Sequence, residues 1–343
     1  MNLKTLAEEL GLSQTTVSRA LNGYPEVSEA TRRRVEEAAR RHNYRPNSRA
    51  KGLATGRAMV IGQVIPTSVQ HEMVNPIFGD FVAGASLTFS RFGYDMMFTR
   101  VPDADESAVY REYRARGAVD AVILQGPLVE DQRIPLLNQI GLPFIVHGRS
   151  TGITEPYAWV DVNNKRSFQH ATEFLIHLGH RRIALINGLE TMDFAQRRRA
   201  GYLAALAEAA IAPDPALMRS DEMTEHFGYS QTRQMLAMDQ PPTAIMASSM
   251  IAALGIRRAI EESGLTMGRD VSVITHDDDL SYLKNGQDVP IFTATRSSVR
   301  KAGEVLAQCL VDRINTPDAP PQSRMLEAEL LVGRSTGPAP QRT

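Results

Sequence analysis

Within ten residues the chain sets out Ser13, Gln14, Thr15, Thr16, Ser18, Arg19 and Asn22, side chains that are short and polar or end in an amide or a guanidinium. An amide can pair with adenine, a guanidinium with guanine, and a threonine methyl can rest on a thymine methyl, so the chemistry on offer is recognition of base-pair edges in a DNA major groove. Gln14, Thr15 and Arg19 suit base reading. Thr16, Ser18 and Asn22 suit phosphate oxygens, which fix register without reporting sequence.

Such a set needs an element that turns it outward. Leu3, Leu6, Ala7 and Leu10 recur at helical spacing behind Asn2 as a cap, and Gly11 is a natural stop. Ser13 can then cap a second helix that buries Val17, Ala20 and Leu21 and leaves the polar set outside. A third helix starts at Ser28 and packs through Val35, Ala38 and Ala39, with Arg32, Arg33, Arg34, Arg40 and Arg41 outward. The expectation is a helix-turn-helix whose second helix enters the groove. Charge agrees: residues 1–57 hold 11 Lys and Arg against 6 Asp and Glu, a balance of +5, while the rest hold 27 against 33, a balance of −6. A near-neutral chain thus carries a basic head on an acidic body, and binding through that head should weaken steeply with salt.

The runs from Leu6-Ala7 through Thr16-Val17-Ser18-Arg19-Ala20-Leu21-Asn22, then Val27-Ser28-Glu29-Ala30-Thr31-Arg32 and Asn43-Tyr44-Arg45-Pro46-Asn47, resemble the LacI/GalR family of bacterial transcriptional regulators. The resemblance extends to about residue 335. It implies a helix-turn-helix domain over 1–45, a hinge over 46–57 that becomes helical on the operator, and an effector domain over 58–335. It also implies that Asn47 and Ala50 lie on DNA and that Leu53 enters the minor groove. An apolar wedge beside Arg49 and Lys51 is what minor-groove insertion requires, and Gly52, costing about 1 kcal/mol of helix propensity, would leave the hinge to fold only on DNA.

From Met59 onward short apolar runs (Met59 to Ile65, Ala121 to Leu124, Phe144 to His147, Ile183 to Asn187, Ala244 to Ala247, Val271 to Thr275) alternate with helix-length amphipathic stretches such as Phe78 to Phe92 and Ser167 to Leu178. That alternation predicts parallel sheets in α/β lobes, with any ligand just beyond the carboxyl ends of the strands. The resemblance supplies two periplasmic-binding-protein-like lobes joined by three crossovers, the first over about 58–157 and 290–318 and the second over about 158–289 and 319–335, with an effector between them. Gly337-Pro338-Ala339-Pro340 predicts a disordered tail over 336–343.

The resemblance assigns effector contacts to Ile77 and Phe78 on the first lobe, Arg198 and Asp277 on the second, and Gly148, Met223, Ser248 and Val299 around them. A guanidinium fork opposite a carboxylate gives directional recognition of a hydroxylated ligand. Ser248-Ser249 stands where relatives often have Asn-Asp, and Gly148 where they commonly have Asp. Both shortenings leave room for a larger sugar such as a disaccharide and put a monosaccharide-style contact in doubt. Met223 replaces an aromatic that stacks on ligand in some relatives. Arg149 reads as a structural partner of Asp161, and Trp159 as structural.

Other classes fit less well. His71-Glu72-Met73-Val74-Asn75 begins like a zinc helix without its second histidine, and no nucleophile elbow, P-loop or dinucleotide motif occurs. A single cysteine, Cys309, supports neither a disulfide framework nor a cysteine metal cage. No enzyme activity, cofactor or metal is expected. A solute-binding protein would share the body but not the basic head, and the absence of a charged and apolar leader predicts a cytoplasmic protein without membrane contact. The expectation is a regulator, most simply a repressor of carbohydrate-utilisation genes, that binds a pseudopalindromic operator as a homodimer. No heptads after Glu329 support a tetramer. Effector binding would change the angle between lobes, part the hinges and withdraw Leu53; a sugar inducer is the first reading and a purine co-repressor the second.

Overall fold

The computed structural model describes residues 1–21, 24–44, 56–67 and 74–341. Asn22, Asn47, Ala50 and Leu53, four of the expected DNA contacts, lie outside the described residues, as does the start of the His71 segment. The described chain forms two compact units, a head ending near Met59 and a larger body.

Among its described residues the head has three helices, α1 (Leu3–Leu10), α2 (Gln14–Leu21) and α3 (Glu29–Arg41). Each start is set locally. Asn2 Oδ1 accepts from the Thr5 amide at 2.9 Å, Ser13 Oγ from Thr16 at 3.0 Å and Ser28 Oγ from Thr31 at 3.3 Å, each cap stabilising its helix by roughly 1 kcal/mol. Gly11 ends α1 at φ 62°, the left-handed geometry in which glycine carries no Cβ penalty. Leu6, Val17, Val35 and Ala38 are fully buried and form the small core. Two of the outward-facing arginines also close the head: Arg34 donates to the Leu10 carbonyl at 2.7 Å and Arg32 to that of Tyr24 at 3.0 Å.

The body has two six-stranded sheets. In lobe 1 the order is β11-β5-β4-β3-β1-β2, all parallel, from β1 (Val60–Pro66), β2 (Asp95–Val101), β3 (Ala121–Gln125), β4 (Phe144–His147), β5 (Trp159–Val162) and β11 (Ser323–Leu326). In lobe 2 it is β12-β10-β9-β8-β6-β7, from β6 (Ile183–Asn187), β7 (Met218–Ser220), β8 (Ala244–Ala247), β9 (Ser272–Asp277), β10 (Thr293–Arg296) and β12 (Glu329–Leu331), with only β12 antiparallel. The helices that matter for the site are α4 (Pro76–Arg91) and α11 (Val299–Asn315) in lobe 1, and α7 (Asn164–His177), α8 (Asp193–Glu208), α9 (Glu225–Leu236) and α10 (Met250–Glu262) in lobe 2. Between these groups, α5 (Glu106–Arg116) and α6 (Arg133–Ile140) cover lobe 1.

Strand membership moves the crossovers from the expected boundaries. The chain leaves lobe 1 after β5, returns after β10 and makes its third passage between β11 and β12, so each crossover lies a few residues later than expected. The tail is also not loose as expected through Gly337-Pro338-Ala339-Pro340. The Gly337 amide donates to Ser272 Oγ at 3.0 Å, the Ala339 amide to the Leu178 carbonyl at 2.8 Å, and buried His180 places Nε2 3.1 Å from the Gly337 carbonyl. These bonds bind the segment to lobe 2.

Candidate functional site

On the head, Gln14, Thr15 and Arg19 are exposed on α2, and among the described residues no hydrogen bond holds their side chains. Thr16 is different. Its hydroxyl lies 2.8 Å from Ser13 Oγ, so it completes the cap and only its outer face is free for a phosphate. Ser18 is half-buried and already has a partner. The three side chains expected to read bases therefore stand clear of the framework, while the Thr16 hydroxyl helps build it.

In the body a cavity of about 370 Å³ opens between the lobes at the carboxyl ends of the strands, the place where open α/β sheets hold ligands. Arg198, only 6% exposed, rises from α8 into its lobe 2 side. Nε donates to Asn164 Oδ1 at 2.8 Å and Nη1 to the Ser248 carbonyl at 2.6 Å, while the guanidinium carbon lies 5.0 Å from the ring centres of both Phe168 and Phe194. Two bonds and two rings fix the fork. Burial pulls its pKa down to about 10, with Asp278 and Asp161 acting against that.

The carboxylate that lines the cavity together with Arg198 is Asp278, not the expected Asp277. The reason is the pleat: successive side chains of a strand point to opposite faces, and β9 ends at Asp277, whose Oδ1 turns back to accept the Asp279 amide at 2.9 Å. Asp278, one residue on, lines the cavity. Burial lifts its pKa to about 7; Arg198 opposes the shift and Asp277 adds to it. Beside it, His276 Nε2 lies 3.5 Å from Asp278 Oδ1 and Nδ1 3.1 Å from Thr295 Oγ1. Burial, and then Arg198, hold His276 well below its usual pKa, so the ring is neutral.

The other expected contacts are brought together. Ile77, Phe78, Gly148, Met223, Ser248 and Val299 all line the cavity. Ser248 is 1% exposed and its hydroxyl donates to Asn187 Oδ1 at 2.7 Å, leaving it only acceptor capacity toward a ligand. Gly148 does not open extra space. It sits at φ 107°, and a Cβ there would fall 2.9 Å from Pro127 Cγ, so Pro127 already fills the volume that the missing side chain was expected to vacate. Phe78 is edge-on to Phe98 at 6.0 Å, part wall and part core. Arg149 does pair with Asp161 at 2.8 Å, and its guanidinium lies 5.0 Å over Trp159. Cavity residues that the sequence reading did not assign to an effector are Asp278, Asn164 and His276 on the lobe 2 side and Gln125 and His147 on lobe 1. Gln125 and His147 end apolar runs, which was signal enough to find them.

The first residues match the model of bacterial regulatory proteins of the lacI family over 2–47, and residues 172–336 match a periplasmic binding protein-like domain. The HTH-type transcriptional regulator AglR of Rhizobium meliloti (strain 1021) is 47% identical, with 100% of this chain and 96% of the relative aligned. The chain belongs to the lacI family of bacterial regulatory proteins. Within that family it is also similar to the HTH-type transcriptional regulator RafR of Escherichia coli, at 35% identity over 81% of this chain and 82% of the relative. Among solved structures, the transcriptional regulator CelR–cellobiose complex superposes with a TM-score of 0.72 at 29% identity, covering 98% of this chain and 99% of the other. The Lac repressor dimer bound to operator and the anti-inducer ONPF gives 0.78 at 25% identity, with the same coverage. As a member of the family this chain is a helix-turn-helix transcriptional regulator, and the relatives named are regulators rather than enzymes. No helix among the described residues is long and apolar enough to cross a membrane.

Proposed function

We propose that this regulator represses carbohydrate-utilisation genes by binding a pseudopalindromic operator as a homodimer in the cytoplasm, and that an uncharged sugar in the interlobe cavity releases it. The observation that carries the sugar reading is that Arg198 and Asp278 line one largely apolar cavity. A fixed donor fork faces an acceptor, which is complementary to hydroxyls that donate and accept. A flat purine finds less support, because Phe168 and Phe194 are taken up by the Arg198 guanidinium and Phe78 by Phe98. The similarity to a regulator solved with cellobiose leans the same way.

On this reading Gln14, Thr15 and Arg19 read bases, Thr16 and Ser18 touch phosphate, and no residue performs catalysis. The effector acts by its difference in affinity between DNA-competent and DNA-incompetent lobe arrangements. Release is tested on full-length protein bound to the promoter DNA it protects from nuclease digestion. A neutral sugar that raises the melting temperature should also dissociate that complex, and Arg198→Ala should abolish the response while DNA binding persists. Dissociation by purines and not by sugars would overturn the reading.

A further inference from the structure

The helix that carries Arg198 begins without a cap of its own. The first amides of a helix have no acceptor within it, and the side chain just ahead of the helix usually supplies one. At α8 that residue is Met192, whose side chain makes no such bond. The acceptor comes from the other lobe instead: the amide of Asp193, the first residue of α8, donates to the Pro127 carbonyl at 3.0 Å. Pro127 lies in the turn 126–132 between β3 and α6 of lobe 1. Around that bond the turn and the segment ahead of α8 are paired. Leu128 and Met192 form an isolated antiparallel bridge, and the Val129 amide donates to the Thr191 carbonyl at 3.4 Å. Thr151, in the turn after β4, donates its amide to Asp193 Oδ2 at 2.6 Å, and its hydroxyl accepts from Arg197 Nη2 at 2.9 Å.

The turn is braced from within lobe 1. Asp131, 2% exposed, accepts the Leu128 amide on Oδ2 at 2.9 Å and the Arg133 amide on Oδ1 at 3.0 Å. Ser150 Oγ accepts the Asp131 amide at 3.0 Å and donates to the Leu128 carbonyl at 2.7 Å. Every one of these partners belongs to lobe 1, so the two side chains reach α8 only through the shape of the turn. The junction also stands apart from the chain crossovers. Those run between the β5 and β11 edge of one sheet and the β10 and β12 edge of the other, whereas β3 is fourth in its sheet counted from β11 and β6 is fifth counted from β12.

We propose that the turn 126–132 of lobe 1 caps α8 of lobe 2 and thereby positions Arg198, with Asp131 and Ser150 as positioning residues that touch neither the cavity nor lobe 2. The first turn of α8 is then fixed only while the lobes are in contact. Arg198 follows Asp193 by five residues, about 7.5 Å along the helix axis, so a loosened start is felt at the guanidinium. The device holds whatever ligand the cavity takes, and so stands independently of the sugar reading.

The test is residue-resolved amide hydrogen exchange on the full-length protein without ligand, because an amide whose acceptor lies in the other lobe is protected only while that contact is closed. In the unaltered protein the Val129, Thr151 and Asp193 amides should exchange together, since one opening exposes all three. Ser150→Ala and Asp131→Asn should speed exchange at Asp193, across the lobe boundary, at least tenfold while the β6 amides keep their rate. Leu128→Cys with Met192→Cys, bridge partners within disulfide reach, should oxidise within one chain and return Asp193 to its unaltered rate in the Ser150→Ala background. Exchange at Asp193 that is unmoved in both lobe 1 variants, or that stays fast once the cysteine pair is oxidised, overturns the proposal. Should both variants raise exchange throughout β6, the oxidised cysteine pair alone decides: Asp193 exchanging more slowly than in the unaltered protein supports the cap, and an unchanged rate overturns it.

Discussion

On the proposed reading, Asp278 makes effector binding a proton-linked event. Its carboxyl is buried opposite Arg198 with a pKa near 7, against 3.8 in an open setting. Sugar hydroxyls that donate to the carboxylate favour its ionised form and draw the bound pKa back toward the ordinary value, so below pH 7 the effector must displace a proton. Each pH unit then weakens binding about tenfold, or roughly 1.4 kcal/mol, and affinity between pH 8 and pH 5 should fall roughly a hundredfold. Calorimetry in two buffers of different ionisation enthalpy reads the proton directly: about 0.9 released per effector at pH 6, about half at pH 7 and about a tenth at pH 8. His276 does not confuse the window, because its pKa lies well below the usual 6.5. The folding linkage of Asp278 has the opposite sense. Its raised native pKa stabilises the fold fully below the unfolded value, and that contribution is lost as pH rises through 7. Asp278→Asn should bind weakly with no pH slope. Binding that is flat with pH in the unaltered protein, or tighter in acid, would refute the assignment of Asp278 as the acceptor.

On the head, Arg19→Ala should cost about 1 to 3 kcal/mol of operator affinity and relax preference at one base position in a mobility-shift series of operator variants; an unchanged preference sinks its role as a reader. Gly201 lies where α7 and α8 cross, and a Cβ there would sit 2.0 Å from the Lys165 carbonyl oxygen. Gly201→Ala should therefore lower stability by about 1 to 3 kcal/mol in thermal melts, although helix propensity alone predicts a gain of up to about 1 kcal/mol. Asp193 spans the lobes: its Oδ2 accepts the Thr151 amide at 2.6 Å, and Arg197, its ion-pair partner, also donates to Thr151 Oγ1 at 2.9 Å. Hydrogen bonds to charged groups contribute about 1.5 to 3 kcal/mol, so Asp193→Ala should loosen the lobe contact and weaken effector binding roughly tenfold to a hundredfold by calorimetry; unaltered affinity would show that this contact does not favour the binding-competent arrangement.

The head was legible because its signals are local. Asn2, Ser13 and Ser28 cap within three residues of themselves, and Leu6, Val17 and Val35 lie at helical spacing. Strands buried on both sides, such as Ala121–Gln125 and Ile183–Asn187, stood out as continuous apolar runs. The edge strand Asp95–Val101 did not, since its outer positions are mostly exposed and polar residues interrupt it. The crossovers were placed early because the apolarity of Trp159–Val162 or Ser323–Leu326 does not say which sheet the strand will join. Asp277 was chosen over Asp278 by one residue, and in a pleated strand one residue exchanges the faces. Gly148 is a deeper case. Its spatial neighbour Pro127 lies 21 positions away in the chain, and no local pattern tells that the space beside a glycine is already filled.

The position of Asp278 also shows how the proposed acceptor on lobe 2 can bear on the other lobe. Its own carbonyl accepts the Val299 amide at 3.1 Å, the first residue of α11. Three residues on, the Ser281 amide donates to Asp80 Oδ2 at 2.7 Å, and Asp80, 4% exposed on α4, is held in turn by Arg300 Nε at 3.1 Å. The turn that carries Asp278 is therefore stitched to α4 and α11 of lobe 1, and those helices meet backbone to backbone: a Cβ at Gly84 would fall 2.0 Å from the Arg300 carbonyl oxygen, and one at Gly303 would fall 2.3 Å from that of Phe81. Close-packed helices cannot absorb a shift by deforming, so they pass it on as rigid bodies. A ligand that draws Asp278 toward Arg198 thus pulls on the helix pair through the Val299 amide and through the Ser281–Asp80 bond. By reciprocity, whatever biases that pair, operator DNA included, must change effector affinity by the same factor.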